Sequence, residues 1–205
     1  VHDLDSLDHR PADAGDRAVI LLHGRHRPAS EMREAAVEMG LLDSRCVFPV
    51  ADDGSWYPHG FMEPLADNEP ALGAAVDRIA REVERLAADG FDPDRIIVGG
   101  FSQGACVVCE YLRRRPPRHL GALILSGGLP GAGGEVGADR ADLSGLPVLL
   151  TTSPADRWVP IARVRETAAW LEASGARVFL EVFADRPHRI DPLDIDACRR
   201  FLAGS

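Results

Sequence analysis

The chain has 205 residues, 45% of them hydrophobic and 27% charged, a balance that suits one globular domain with a sizeable core. Its 23 basic residues stand against 32 acidic ones, a formal charge of −9 that repels a phosphate backbone and argues against a nucleic-acid partner. Every basic residue is arginine, so a Schiff base, a Ser-Lys dyad and a Walker lysine are all excluded.

Residues 1–17 are polar and carry Pro11 and Gly15; they read as a loosely held N-terminal arm ahead of a single domain over 18–205. Val1-His2-Asp3-Leu4-Asp5 is acidic where a secretory signal would be basic and then apolar, and no apolar run reaches membrane-spanning length. A cytoplasmic protein without a membrane span is the expectation. Ala18-Val19-Ile20-Leu21-Leu22 is a continuous apolar run of the kind buried on both faces of a parallel sheet, and it runs into His23-Gly24-Arg25-His26. Ser30 reads as the N-cap of a helix striped by Met32, Ala35, Ala36 and Met39. A second strand, Cys46 to Ala51, breaks into Asp52 to Met62, which has no period yet carries Trp56, Tyr57, Phe61 and Met62. Residues so large must be buried against the body or around a ligand.

Leu72, Val76, Ile79, Val83 and Leu86 mark a long amphipathic helix that stops at Gly90. Arg95 to Phe101 is a strand that passes through Gly100-Phe101-Ser102-Gln103-Gly104 into a helix reaching about Arg115, closed by Pro116-Pro117. Leu120 to Ser126 is the next strand, Gly127 to Gly137 a glycine-rich loop, and Pro147 to Ser153 a further strand. Ile161, Val164, Ala168 and Leu171 stripe another helix, Val178 to Phe183 is the last strand, and Asp191-Pro192 caps a terminal helix with Ile195, Cys198 and Leu202 inward. Strands alternating with helices, through connections too long for hairpins, demand a mainly parallel sheet covered by helices on both faces.

The G-x-S-x-G string between strand and helix reads as a nucleophile elbow, with Ser102 held in a strained turn at the sheet edge. Gly100 and Gly104 serve there because a side chain would collide with the neighbouring elements. The helix N-terminus favours an oxyanion, and the N–H of Gln103 is its first donor. In a parallel sheet, residues just after strands share one edge, which leaves His23, His26, His59 and His188 of the seven histidines. A base that follows the nucleophile singles out His188. Asp156, in the loop after Pro147 to Ser153, is favoured as the acid over Asp185, which stands only three residues from His188. The N–H of Arg25 is the expected second oxyanion donor. These roles amount to acyl transfer through an acyl-enzyme, with no cofactor.

Cys46, Cys106, Cys109 and Cys198 lie in strand and helix patterns and read as reduced core thiols. His23 and His26 lack nearby Cys or carboxylate ligands, so no metal is expected. His26, Trp56, Tyr57, Phe61, Met62, Leu129 and Trp158 are the candidates for substrate contact, although the loop aromatics could equally glue the loop to the body. Arg25, Arg157, Arg186 and Arg189 flank the candidate site, where inward-pointing arginines would bind a substrate carboxylate.

Leu21-Leu22-His23-Gly24-Arg25, Trp56-Tyr57-Pro58, Gly100 to Gly104, Leu125 to Pro130, Asp156 to Pro160 and His188 together resemble the phospholipase/carboxylesterase family of α/β-hydrolases, which includes acyl-protein thioesterases and small bacterial carboxylesterases. The resemblance implies a compact α/β-hydrolase fold without a large lid and Ser102, Asp156 and His188 as a triad. It also implies Arg25 and Gln103 as oxyanion donors. His26 stands where many members carry glycine, and Asp185-Arg186-Pro187 replaces a glycine-rich approach to the histidine. The expected substrate is a carboxylic ester or thioester with a small to medium acyl group. A dienelactone-hydrolase-like or biosynthetic thioesterase or lactonase role on a carboxylate-bearing substrate, and a non-catalytic receptor on the same scaffold, are the alternatives, and self-association into a homodimer is left open.

Overall fold

In a computed structural model, described for residues 6–11, 15–115, 118–136, 139 and 141–204, the apolar runs align as the inner strands of one seven-stranded sheet. The strands are β1 (Ser6–His9), β2 (Ala18–Leu22), β3 (Arg45–Pro49), β4 (Ile96–Phe101), β5 (Gly121–Leu125), β6 (Pro147–Thr152) and β7 (Arg177–Val182), in the order β1-β3-β2-β4-β5-β6-β7. All neighbours are parallel except β1 and β3. The helices are α1 (Ala29–Glu38), α2 (Leu65–Asn68), α3 (Ala71–Ala88), α4 (Gln103–Arg114), α5 (Ile161–Ala173) and α6 (Pro192–Ala203).

Strand alternation feeds two cores, which is why the inner strands are apolar without a break. Ala18, Ile20 and Leu22 join α3, α4 and α5 on one face, while Val19 and Leu21 join α1 and α6 on the other. The result is the α/β-hydrolase architecture: a single domain with, among the described residues, no large lid, and the C-terminal strand ends on one edge. Among the described residues, no helix is long and apolar enough to cross a membrane. The Pro116-Pro117 stop, His2 and the other residues of the opening acidic run lie outside the described residues.

Two expectations need correction. Residues 6–9, read as part of a loose arm, form an antiparallel edge strand that pairs Ser6 with Pro49 and His9 with Cys46. The strand is held by charge rather than by apolar packing, which is why its pattern gave no signal. Asp8 meets the buried Arg45 at 2.6 Å, and Ser6 Oγ donates to the buried Glu82 at 2.9 Å. Helix α1 starts at Ala29 with Pro28 as its N-cap, so Ser30 lies inside the first turn. At the other end of the chain, Asp191 caps α6 through a reciprocal box with Asp194, as its Asp-Pro start suggests.

Candidate active site

β4 and α4 meet at Ser102, whose φ of +54° lies in the left-handed region that a non-glycine residue rarely adopts. The turn is tolerated because Gly100 and Gly104, two residues to either side, carry no side chain. A Cβ on Gly100 would fall 2.6 Å from the Gly104 carbonyl carbon, and one on Gly104 would meet the carbonyl oxygens of Leu22 and, at 2.6 Å, His23. The Ser102 N–H donates to Leu125 O on the neighbouring strand at 2.9 Å, which pins the turn to the sheet.

Ser102 Oγ lies 2.8 Å from His188 Nε2, and His188 Nδ1 lies 2.7 Å from Asp156 Oδ2. The second carboxylate oxygen, Oδ1, accepts the backbone N–H groups of Trp158 at 2.8 Å and Val159 at 3.0 Å. Burial alone would push this carboxyl up; the His188 hydrogen bond and the two N–H groups outweigh it and hold Asp156 below its ordinary value. Asp156 is therefore ionised, and its orientation is fixed from behind. Its rival Asp185 is solvent-exposed.

The loop that carries His188 is anchored by Arg186, which points away from the reaction centre. Its guanidinium is fully buried, donates to Arg189 O at 3.0 Å and lies 3.4 Å from the buried Asp194 carboxylate of α6. Arg189 pairs with Asp191, and Arg157 is exposed and does not line the cavity. Arg157, Arg186 and Arg189 thus form no carboxylate clamp: none of the three lines the cavity, and the fold's own acids and carbonyls take up the charge of Arg186 and Arg189.

Arg25 has the same inward economy. Its guanidinium gathers the carbonyls of Tyr57 at 2.9 Å, Pro58 at 2.8 Å and His59, binding the 57–59 loop to the loop after β2. Gln103 secures that loop from the helix side: its side-chain oxygen accepts the Trp56 N–H at 3.0 Å and its amide donates to Tyr57 O at 2.8 Å. Among the described residues, no hydrogen bond uses the backbone N–H of Arg25 or Gln103, so both remain available to an oxyanion. His23 is structural. Its Nε2 accepts the Ala51 N–H at 3.0 Å, which puts the ring proton on Nδ1 for donation to Gly24 O at 2.7 Å, and burial lowers its pKa. His26, at φ +54°, sits beside the cavity mouth with its N–H on Gly54 O.

Above Ser102 lies a cavity of about 630 Å³ lined by, among others, Tyr57, Phe61, Met62, Cys106, Trp158 and Val159. Of the residues read as candidates for substrate contact, His26, Tyr57, Phe61, Met62 and Trp158 line it, whereas Trp56 and Leu129 do not. Trp56 is buried with its indole N–H on His23 O at 2.8 Å, so it glues the loop to the body. Leu129 is a core residue, and its carbonyl is held by Arg163, whose guanidinium lies over the Phe61 ring; it backs the wall rather than lining it. Arg27 and Glu63 line the cavity without having been singled out, and so do His59, kept only by the sheet-edge filter, and Cys106, read only as a core thiol. Cys106 faces it from the first turn of α4, the one sequence signal that could have revealed it. Burial pushes that thiol up to about 11, so it stays protonated at neutral pH. Among the described residues, no cluster of three or more metal-ligating side chains occurs.

A family model described as Phospholipase/Carboxylesterase matches residues 9–205. The crystal structure of a phospholipase/carboxylesterase from Dyadobacter fermentans superposes with a TM-score of 0.90 at 32% identity, covering 98% of this chain and 97% of that one. A probable inactive carboxylesterase of Oryza sativa subsp. japonica is 26% identical over 138 residues, 67% of this chain and 56% of that protein. Acyl-protein thioesterase 1 of Schizosaccharomyces pombe is 29% identical over 119 residues, 57% of this chain and 53% of that protein. The chain spans about half the length of these curated relatives. The match over nearly the whole chain, on a fold whose edge brings a serine, a histidine and an aspartate into line, means that this chain belongs to the phospholipase/carboxylesterase family.

Proposed function

We propose that the protein is a serine hydrolase that cleaves small to medium carboxylic esters or thioesters through an acyl-enzyme. The observation that carries this reading is the unbroken relay from Ser102 Oγ through His188 to Asp156, at 2.8 and 2.7 Å. In that relay His188 Nε2 takes the Ser102 proton as Oγ attacks the acyl carbon. Asp156 holds the proton on Nδ1 and stabilises the imidazolium, and the N–H groups of Arg25 and Gln103 receive the oxyanion. His188 then protonates the leaving group; water, activated by the same ring, releases the acid and restores Ser102.

The cavity of about 630 Å³ falls within the range for small-molecule sites, and Phe61, Met62, Trp158 and Val159 favour an apolar acyl chain. A non-catalytic binding protein on the same scaffold is the reading raised by the rice relative, named a probable inactive carboxylesterase. A fluorophosphonate trap followed by intact mass separates the two. One label per wild-type chain and none on Ser102→Ala is the expected result. A folded wild type that takes no label would move the binding-protein reading ahead.

A further inference from the structure

The two edges of the sheet differ. β1 is four residues long and its charges are paired inward, whereas β7 is six residues long, and Phe179, Leu180 and Val182 are 43%, 36% and 42% exposed. Among the described residues, no strand lies beyond β7. The N–H groups of Arg177 and Phe183 donate inward to Leu146 O and Thr152 O, so by alternation Val178, Leu180 and Val182 turn their N–H and C=O groups out to the open edge. Such an edge, apolar and without a covering element, is a template for another strand.

We propose that the occupant is β7 of a second copy, paired antiparallel about a two-fold axis at Phe179. The sequence Arg177-Val178-Phe179-Leu180-Glu181 is self-complementary in this register. Val178 faces the second copy's Leu180, and both are residues with outward main-chain groups, as a hydrogen-bonded antiparallel pair requires. Phe179 faces its own copy in the close, non-hydrogen-bonded position. Arg177 faces the second copy's Glu181 at both ends of the ladder.

The faces agree as well. Phe179 packs edge-on against Phe201, and Glu181 lies 3.1 Å from Arg200, which places the odd-numbered residues on the α6 face. Val178 packs into the core on the opposite face. Sliding the ladder by two residues sets Phe179 against Glu181 and leaves Arg177 without its carboxylate, so charge selects the register. The two sheets then form one continuous sheet of fourteen strands, twice the seven observed in one copy.

Sedimentation velocity over ~1–100 µM, with circular dichroism to verify folding, tests this on the full chain. The wild type should be a dimer, and Arg177→Glu or Glu181→Arg alone should weaken association by ~10-fold or more. The double exchange should restore it, with turnover per site unchanged in every variant. A wild type that stays monomeric, a dimer indifferent to the single reversals, or a double exchange that fails to restore what the singles lose would each overturn the proposal.

Discussion

Asp156→Asn is the most informative single change, because the structure dictates how the new amide must lie. Oδ1 of Asp156 is gripped by the N–H groups of Trp158 and Val159 at 2.8 and 3.0 Å, and only an oxygen can accept them. The amide nitrogen is therefore forced into the Oδ2 position, 2.7 Å from His188 Nδ1. A donor there requires Nδ1 to accept, which moves the ring proton to Nε2, the atom that must be bare to take the proton of Ser102. Geometry and packing are kept while the base sits in the wrong tautomer. The expected loss in kcat is about 10⁴-fold at neutral pH, equivalent to roughly 5.5 kcal/mol of barrier. KM and melting temperature should change little, since the side chain keeps its volume and its three hydrogen-bond contacts, the one to His188 with its direction reversed. Steady-state hydrolysis of p-nitrophenyl esters, with the exposed Asp185→Asn as a control that retains wild-type kcat, provides the assay. An Asp156→Asn enzyme within tenfold of wild type would show that Asp156 does not orient the base.

Three further outcomes follow from other parts of the structure. His119 is buried against Tyr111 with its pKa lowered to about 4, so the folded state binds fewer protons than the unfolded one between about pH 6.5 and 4. Stability should fall by roughly 3 kcal/mol as pH drops through that window, and His119→Gln should flatten the denaturation midpoint against pH; parallel curves would show that His119 is not held neutral. Gly104→Ala, which drives a Cβ into the Leu22 and His23 carbonyls, should cost about 3 kcal/mol or more and abolish fluorophosphonate labelling; a labelled, thermally normal variant would contradict the close approach at the elbow. Trp158, 74% exposed and lining the cavity mouth, gains burial only when substrate is bound, so Trp158→Ala should lower kcat/KM about fivefold or more on octanoyl esters and less than twofold on acetyl esters. Equal losses on both would place Trp158 outside the acyl path.

The parts of this molecule that were legible in the sequence are those specified by periodicity and chain order. Unbroken apolar strands, amphipathic helices and the positional filter on histidines lead to the sheet and to the meeting of Ser102, Asp156 and His188, because each rests on backbone placement alone. The parts that were not legible depend on where a side chain turns. Ser6 and Asp8 carry no apolar signal, yet Glu82 and Arg45 recruit their strand. Trp56 and Leu129 are apolar enough to bind a ligand and are used for packing. The arginines are close to the site in sequence, and Arg25 and Arg186 are turned onto carbonyls and an acid of the fold itself. An alternating exposed strand such as β7 resembles a buried one in its residues; only the lack of a neighbour distinguishes it.

Gln103 ties two properties of the site to one side chain. In the proposed mechanism its main-chain N–H receives the oxyanion, while its side-chain amide holds Trp56 and Tyr57 at the start of the cavity-lining loop. Remodelling that loop to admit a different acyl group therefore strains the helix start that stabilises charge, so breadth of substrate and speed of turnover are mechanically geared together on this wall. Met62, 43% exposed on the cavity wall and, among the described residues, without a hydrogen bond to the candidate triad, is a position where selectivity can drift at little cost in rate.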